Sequence, residues 1–375
     1  MEKRLNYECQ IEREAFLMKK FEYMEKYGYE QLVFFHDATT GLKGITCIHN
    51  TTLGPSLGGT RLWVYDNEDD ATLDVLRLAR GMTYKAACAG LNLGGGKTVL
   101  IGDAKKVKSE EYFRALGRYV QTLGGRYITA PDVNTSAKDM QYVNMETDYV
   151  VAIPTKSGNP SPATARGAFH GIRASLKERF GTDDMSERTF AVQGAGQTGD
   201  FLIGDLLEAG AKKVYFTEIN EDHIAKIKEK YPDVEYVEPD SIYDLDVDVF
   251  APCALGAVMN DKTIKRLKCE IVAGTANNVL EDEEKHGEAL KKRDILYAPD
   301  FVINAGGLIN VSHELEEDGY SKDKAFSDIE RIYDRLLDIY QVAKENDTHT
   351  QEAAKIFARR RIETINKLHS NYIKR

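Results

Sequence analysis

Two lysines, Lys85 and Lys97, are separated by eleven uncharged residues in GMTYKAACAGLNLGGGKT (81–98), and three glycines, Gly94 to Gly96, precede the second. Two ammonium groups held near one another in a poorly hydrated site repel, and burial adds to the effect, so both terms favour loss of a proton. One lysine could then act as a general base near neutral pH while the other stays charged and grips a carboxylate. Residues 71–89 place Val75, Leu78, Ala79, Met82 and Ala86 at helical spacing, which predicts a helix with one buried stripe and Lys85 beside it. The glycines, lacking side chains, can bring backbone close to a ligand. Two other readings compete: solvated lysines flanking a glycine turn, and a phosphate-binding P-loop ending in GGGKT. The P-loop register fails, because Leu91 stands five before Gly96 and Gly90 is one residue too early.

A second candidate follows the strand predicted over Arg126–Ala130, which empties into Pro131-Asp132-Val133. An aspartate just past a strand end is placed for chemistry, or for capping the helix that begins near Ser136. A third constellation is the most specific. The strand Phe190–Gln193 leads into Gly194-Ala195-Gly196-Gln197-Thr198-Gly199, a helix runs from about Asp200 to Gly210, and a strand Val214–Thr217 ends at Glu218, 24 residues after Gly194. Strand, G-x-G-x-x-G, helix, strand and acid in this order form the dinucleotide-binding fingerprint. Gly194 permits the tight turn, Gly196 admits the pyrophosphate, Gly199 lets helix and sheet pack, and the helix N-terminus faces the phosphates. Glu218 would accept hydrogen bonds from ribose hydroxyls and repel a 2'-phosphate, which favours NAD over NADP.

These residues need a large α/β frame. A chain of 375 residues predicts two to three domains, and its net charge of −10 argues against nucleic acid or an anionic membrane as the main partner. Cys9, Cys47, Cys88, Cys253 and Cys269 are scattered, odd in number and without a C-x-x-C pair, so no metal site is signalled and free thiols in a cytoplasmic protein are expected. The charged N-terminus and the absence of a long apolar run predict neither export nor a membrane span. Residues 11–28 read as an amphipathic helix, Leu32–Phe35 and Gly44–Ile48 as strands about a turn, and GPSLGGTRLW (54–63) as a second glycine-rich loop. A strand at Thr98–Ile101 and a helix near 109–123 precede Asp132. SGNPSPATARG (157–167) reads as an interdomain hinge opening a long helix to about 180. Strands at 247–251, 271–273 and 295–298 each end in a small or polar loop, where a doubly wound sheet binds its ligand. A helix over 325–344 reads as core, and a last one, 350–370, carries Arg359-Arg360-Arg361 as a solvated face.

Taken together, GPSLGGTRLW, ARGMTYKAACAGLNLGGGKT, YITAPDVNT, GNPSPATARG, GAGQTG and INAGGLINV resemble the amino acid dehydrogenase superfamily, specifically its leucine, valine and phenylalanine dehydrogenase branch, over residues 30–315. The resemblance implies an α/β chain of two domains separated by a cleft. Residues 1–150, completed by a C-terminal helix at 345–375, would form the substrate and oligomerisation domain, and 151–344 a doubly wound Rossmann-type NAD domain. It implies NAD-dependent, reversible oxidative deamination of an L-amino acid to the 2-oxo acid and ammonia, and a cytoplasmic homo-oligomer, commonly an octamer. Lys85, helped by Gly58 and Gly59, would bind the substrate carboxylate; Lys97 would be the general acid/base and Asp132 would handle the amine proton. Asn278 would also meet the substrate, and Gln197, Thr198, Thr164, Ala254 and Asn304 would join the fingerprint in holding NAD. Leu57 stands where the glutamate branch has a lysine, so glutamate should be rejected. Leu57, Ala130, Leu308 and Val311 would line an apolar side-chain pocket of the leucine, valine and isoleucine class, although Leu308 is seen in phenylalanine enzymes, which makes phenylalanine the alternative substrate. Pro131 and Asn134, which flank Asp132, depart from the branch pattern; Asn134 replaces a glycine. An inactive NAD-binding sensor is the rival of another class, and retention of Lys85, Lys97 and Asp132 speaks against it.

Overall fold

The computed structural model describes residues 20–254 and 256–368. Two compact units divide the chain: one takes it up to Gly158, with Glu314–Tyr320 and the end from Arg359, and the other comprises Asn159–His313 and Ser321–Ala358. The second boundary near the C-terminus therefore falls inside the last helix rather than before it.

In the first unit, helix α1 (Lys20–Tyr27) covers the described part of the expected opening helix and leads to β1 (Gln31–Asp37) and β2 (Leu42–Asn50), an antiparallel hairpin. Its turn is closed by Asp37, whose carboxylate accepts the Thr40 backbone N–H at 2.8 Å. Then come β3 (Ser56–Trp63), α2 (Glu68–Cys88), β4 (Gly94–Ile101), α3 (Ala104–Val107), α4 (Glu110–Thr122), β5 (Tyr127–Pro131) and α5 (Ala137–Asn144). The sheet order is β1-β2-β4-β3-β5, with β3, β4 and β5 mutually parallel and β2 antiparallel to β4. One face packs Ile45, Cys47 and Val99 against Val75, Leu76 and Ala79 of α2. The other packs Leu62, Leu100 and Tyr127 against Phe113 and Leu116 of α4 and Met140 of α5.

Two glycine-rich stretches expected as loops are strands. Glycine ordinarily weakens a strand, but here the strands and α2 approach too closely for anything larger. A Cβ on Gly58 would lie 1.8 Å from the Gly96 carbonyl oxygen, and one on Gly95 only 2.1 Å from the Thr83 backbone nitrogen of α2. The triple glycine thus admits a helix, not a ligand, on the Gly95 side.

The second unit opens with α6 (Ser161–Phe180) and continues through β6 (Thr189–Gln193), α7 (Gln197–Glu208), β7 (Lys213–Thr217), α8 (Glu221–Lys230), β8 (Glu235–Tyr236), β9 (Val249–Pro252), β10 (Ile271–Val272), α9 (Glu283–Lys292) and β11 (Leu296–Tyr297). These strands form one parallel sheet, order β11-β10-β9-β6-β7-β8. Read in chain order this is 3-2-1-4-5-6, the doubly wound dinucleotide-binding arrangement. Helices α10 (Asp300–Ile303), α11 (Gly306–Ser312), α12 (Lys322–Glu330), α13 (Ile332–Glu345) and α14 (Thr350–Leu368) complete the chain. The single helix expected over 325–344 is broken at Arg331, with α12 packing on α11 and α6 while α13 packs on α6. No proline or glycine marks that break in sequence. Among the described residues, no helix is long and apolar enough to cross a membrane, and Cys47, Cys88, Cys253 and Cys269 are free thiols.

Candidate active site

Strand alternation sets the first cluster. On β4, Gly95, Lys97 and Val99 share one face, and Val99 belongs to the core beneath α2, so Lys97 points to the α2 side of the sheet. On β3, Arg61 pairs in register with Val99 and reaches the same side. Helix α2 starts at Asn67, whose side chain accepts the Asp70 N–H, with Glu68, Asp69 and Asp70 in its first turn complementing the helix dipole. It carries Asp74 over Arg61 and ends with Lys85, half-buried, in its last turn.

Asp132 follows β5 in a turn tied on every side. Its N–H donates to Thr135 Oγ1 at 2.8 Å, and that hydroxyl donates to the Thr60 carbonyl at 2.8 Å. Asn134 adopts φ 61°, the left-handed conformation that glycine would otherwise supply and that asparagine tolerates, and its Nδ2 donates to the Leu62 carbonyl at 3.0 Å. Pro131 ends the strand opposite Thr60. The helix that follows is capped by Ser136 in a capping box with Asp139. Asp132 is therefore not its cap, and the Asp132 carboxylate faces two cations: Oδ1 lies 3.1 Å from Lys97 Nζ and Oδ2 2.9 Å from Arg61 Nε. Behind Arg61, Nη1 meets Asp74 Oδ2 at 3.1 Å, and Tyr65 donates to the same oxygen at 2.6 Å.

The electrostatics follow from this packing. Lys97 is 5 % exposed, and burial holds its ammonium pKa below the ordinary lysine value even though Asp132 pulls it upward; Arg61 also pushes it down. A like charge that acts on Lys97 is thus the Arg61 guanidinium. Burial raises the Asp132 carboxyl, but the charges and hydrogen bonds of Lys97 and Arg61 outweigh it and hold its pKa below the usual carboxylate range. For Arg61 burial works against the charge, and Asp132 with Asp74 overcomes it. Sequence reasoning missed Arg61, Asp74 and Tyr65. No local signal marked Arg61, because GGTRLW reads as a loop and only the strand backbone sets the face on which the arginine lies.

The arginine triplet also departs from its expected solvated role. Arg361 is half-buried, and its Nη1 donates to the carbonyls of Ala87 at 3.1 Å and Leu91 at 2.7 Å, while Nη2 donates to the Gly90 carbonyl at 3.1 Å and Asn92 Oδ1 at 3.0 Å. A cation from α14 closes the C-terminal end of α2 and the connection to β4, the chain between Lys85 and Lys97. Leu57 and Ala130 are buried on neighbouring strands β3 and β5, in the first unit. A Cβ on Gly59 would lie 2.8 Å from Asp132 Cβ, so Gly59 leaves room for that side chain.

In the second unit the fingerprint residues come together at the β6–α7 turn. Gly194 has φ 94°, a Cβ on Gly199 would meet the Gly194 carbonyl oxygen at 2.0 Å, and a Cβ on Gly196 would meet nothing within 4 Å. The turn is thus closed on the protein side and open at Gly196, at the N-terminus of α7, as a pyrophosphate requires. Glu218 follows β7 directly, beside this turn: its Oε2 accepts the Ala195 N–H at 3.1 Å and its Oε1 the Ile219 N–H at 2.8 Å. Gln197 is exposed, Thr198 Oγ1 lies 2.8 Å from Thr275 Oγ1, and Ala254 packs beside Gly194. Asn304 is buried and donates to the Ala276 carbonyl at 3.1 Å and Asn277 Oδ1 at 2.8 Å, bracing that strand-end loop; the neighbouring Asn278 is exposed at φ 50°. Thr164 Oγ1 donates to the Pro160 carbonyl at 3.0 Å in the first turn of α6. Leu308 and Val311 are buried on α11.

Family comparison accords with this geometry. Residues 29–149 match the model of the Glu/Leu/Phe/Val dehydrogenase dimerisation domain, and residues 213–369 that of glutamate/leucine/phenylalanine/valine dehydrogenase. The chain is 51 % identical to the leucine dehydrogenase of Thermoactinomyces intermedius, over 95 % of this chain and 97 % of that one. It belongs to the Glu/Leu/Phe/Val dehydrogenase family. Within that family it falls in the leucine dehydrogenase branch: the Bacillus subtilis leucine dehydrogenase is 50 % identical over 95 % of this chain and 97 % of that one. Among solved structures, L-tryptophan dehydrogenase from Nostoc punctiforme superposes with a TM-score of 0.83 at 44 % identity, covering 92 % of this chain and 99 % of that one. Glutamate dehydrogenase from Peptoniphilus asaccharolyticus shares the fold at 23 % identity, with a TM-score of 0.73 over 97 % of this chain and 98 % of that one.

Proposed function

We propose that this chain is an NAD-dependent L-amino acid dehydrogenase that interconverts an apolar amino acid of the leucine, valine and isoleucine class with its 2-oxo acid and ammonia. The observation that carries the reading is the buried Lys97 held against Asp132 at 3.1 Å, in a chain that also bears an open glycine turn at Gly196. Bound NAD supplies the hydride acceptor. Gly194, Gly196 and Gly199 with Gln197 and Thr198 would hold its pyrophosphate, Glu218 its adenosine ribose, and Thr164, Ala254 and Asn304 its remaining surface. A carboxylate at Glu218 would repel the 2'-phosphate of NADP.

Lys85, on the last turn of α2, pairs the substrate carboxylate beside Gly58 and Gly59. Asp132 takes the proton of the substrate amine. Lys97, its basicity lowered by burial, draws a proton from the water that attacks the iminium carbon and returns it later to the departing ammonia. Leu57 and Ala130 of the first unit, and Leu308, Val311 and Asn278 of the second, are the residues that would meet the substrate side chain. A leucine at position 57 leaves a side-chain carboxylate unpaired, which excludes glutamate. The first unit, up to Gly158 with Glu314–Tyr320 and the chain from Arg359, would assemble the chain into a homo-oligomer, an octamer, in the cytoplasm, and the second unit would bind NAD.

The test is growth of the NADH absorbance band with a panel of L-leucine, L-valine, L-isoleucine, L-methionine, L-phenylalanine and L-glutamate. Turnover of the branched aliphatic substrates without glutamate is expected, and Lys97→Ala should abolish it while leaving NADH binding intact. Preferred turnover of phenylalanine would reassign the pocket. No turnover of any of them by a chain that binds NADH would replace the enzyme with a sensor.

A further inference from the structure

Proton transfer at Lys97 accounts for Asp132 but leaves Arg61, Asp74 and Tyr65 unexplained. These side chains make a continuous row: Tyr65 to Asp74 at 2.6 Å, Asp74 to Arg61 at 3.1 Å, Arg61 to Asp132 at 2.9 Å and Asp132 to Lys97 at 3.1 Å. They come from four separate pieces of the first unit, namely β3 with the connection after it, α2, the end of β5, and β4. An arginine is suited to the middle place, since its rigid fork offers Nε to one carboxylate and Nη1 to another and its charge is permanent.

We propose that Arg61 is a positioning residue for proton transfer: Tyr65 and Asp74 anchor its guanidinium, which holds Oδ2 of Asp132, turns Oδ1 to Lys97 and keeps Asp132 ionised whichever protonation state Lys97 is in. The inference rests on the reading of Lys97 as the acid/base group and adds what makes that role workable. A buried lysine and carboxylate alone lock each other, because loss of the ammonium proton strands an uncompensated carboxylate. With Arg61 and Asp74 included, the row is neutral when Lys97 is charged and carries one negative charge when it is not. Without Arg61 the same step would take it from one negative charge to two. Among the described residues, the charged and titratable groups that act on Lys97 and Asp132 include Arg61, Asp74 and Tyr65, and Cys47 pairs with Lys97 across the neighbouring strands. Arg61 is a cation that favours release of the Lys97 proton.

The experiment compares kcat/KM against pH for the full chain, Arg61→Gln, Arg61→Lys and Asp74→Asn. In the deamination direction the acid limb reports the base in the free enzyme. Removing the cation in Arg61→Gln should move that limb up by about one pH unit, as expected for a like charge held on the same carboxylate. Removing the distal anion in Asp74→Asn should move it down, and Arg61→Lys should fall between Arg61→Gln and the parent. A residue that merely supports the fold would lower the rate without this opposition of sign. An unmoved limb in Arg61→Gln, or a shift in the same direction in Asp74→Asn, would overturn the proposal.

A second readout needs no turnover. The depressed Lys97 pKa means that the unfolded chain binds more protons than the folded one between the folded value and the ordinary lysine value. Stability in urea should therefore rise with pH across that window, and Lys97→Met should remove the rise. In the Arg61→Gln background the part removed by Lys97→Met should be smaller. An equal part in both backgrounds overturns the role of Arg61 even where the amino acid panel shows no activity. Conversely, a silent panel with the urea difference intact would refute the dehydrogenase reading alone.

Discussion

Arg361→Met should loosen the chain between the two lysines. The guanidinium makes four hydrogen bonds at the end of α2 and in the connection to β4, of which the two from Nη1, to Ala87 and Leu91, are the better buried. A hydrogen bond from a charged group contributes about 1.5 kcal/mol at the low end, so these two amount to about 3 kcal/mol, and the exposed pair adds less than about 1. Methionine keeps the aliphatic packing of the stem but leaves the carbonyls of residues 87, 90 and 91 without that donor. A local opening free energy lower by about 3 kcal/mol raises amide exchange about 100-fold, since about 1.4 kcal/mol is a factor of ten. The assay is hydrogen exchange by mass spectrometry on peptides spanning 85–95, with peptides from β6 and β7 as the internal control. Because the same segment sets Lys85 relative to Lys97, KM for the 2-oxo acid should rise while the affinity for NADH stays unchanged. Arg361→Lys should recover the interaction with the helix dipole, about 0.5 kcal/mol, but not the fork. Exchange within about threefold of the parent in Arg361→Met would refute the assignment.

Glu218→Ala should relax the preference for NAD over NADP, read as the ratio of kcat/KM for the two coenzymes; an unchanged ratio would remove Glu218 from ribose recognition. His49 is buried between Thr83 Oγ1 at 2.7 Å and the Tyr27 carbonyl at 3.0 Å, and burial pushes its pKa down to about 4. It is neutral when folded, so the folded chain binds fewer protons and stability falls as pH drops through the interval from the unfolded histidine value toward 4. By about pH 5 this should cost about 2 kcal/mol. Urea melts at about pH 7.5 and pH 5 should show a correspondingly smaller loss for His49→Phe than for the parent; equal losses would show that His49 is charged in the folded chain.

Much of this site could be read before the fold was seen, because its signals are local. A strand followed by Gly194, Gly196 and Gly199 and closed by Glu218 is a short-range pattern, and so is an aspartate just past a strand end, although only the structure shows that Ser136 and not Asp132 caps the helix that follows. What escaped is information carried by contacts distant in sequence. Ser56–Trp63 reads as a loop because glycine has little intrinsic preference for strands, and only the approach of Gly58 to the Gly96 carbonyl shows why strand backbone demands it there. Arg361 reads as surface because nothing near it in the chain shows that the end of α2 lies alongside. The lowered basicity of Lys97, expected from burial and a neighbouring lysine, comes first from burial, with a contribution from Arg61, 36 positions earlier, that the sequence did not show. The break at Arg331 has no sequence signal at all.

The crowding of backbone around Gly58 and Gly95 has a consequence for how this enzyme can be altered. The segment richest in proposed substrate-binding residues is also the one with least room for variation, since replacements at those glycines must displace a strand or α2 before they can touch a ligand. Within the first unit, evolution or a laboratory library can therefore reshape selectivity through the side chains set between fixed points, such as Leu57 and Ala130. Diversification should accordingly be concentrated at such positions with the glycines held constant. A lineage that changes its substrate would keep the glycine text almost letter for letter while the letters between them drift, so the motif that identifies the family is silent about the molecule each member prefers.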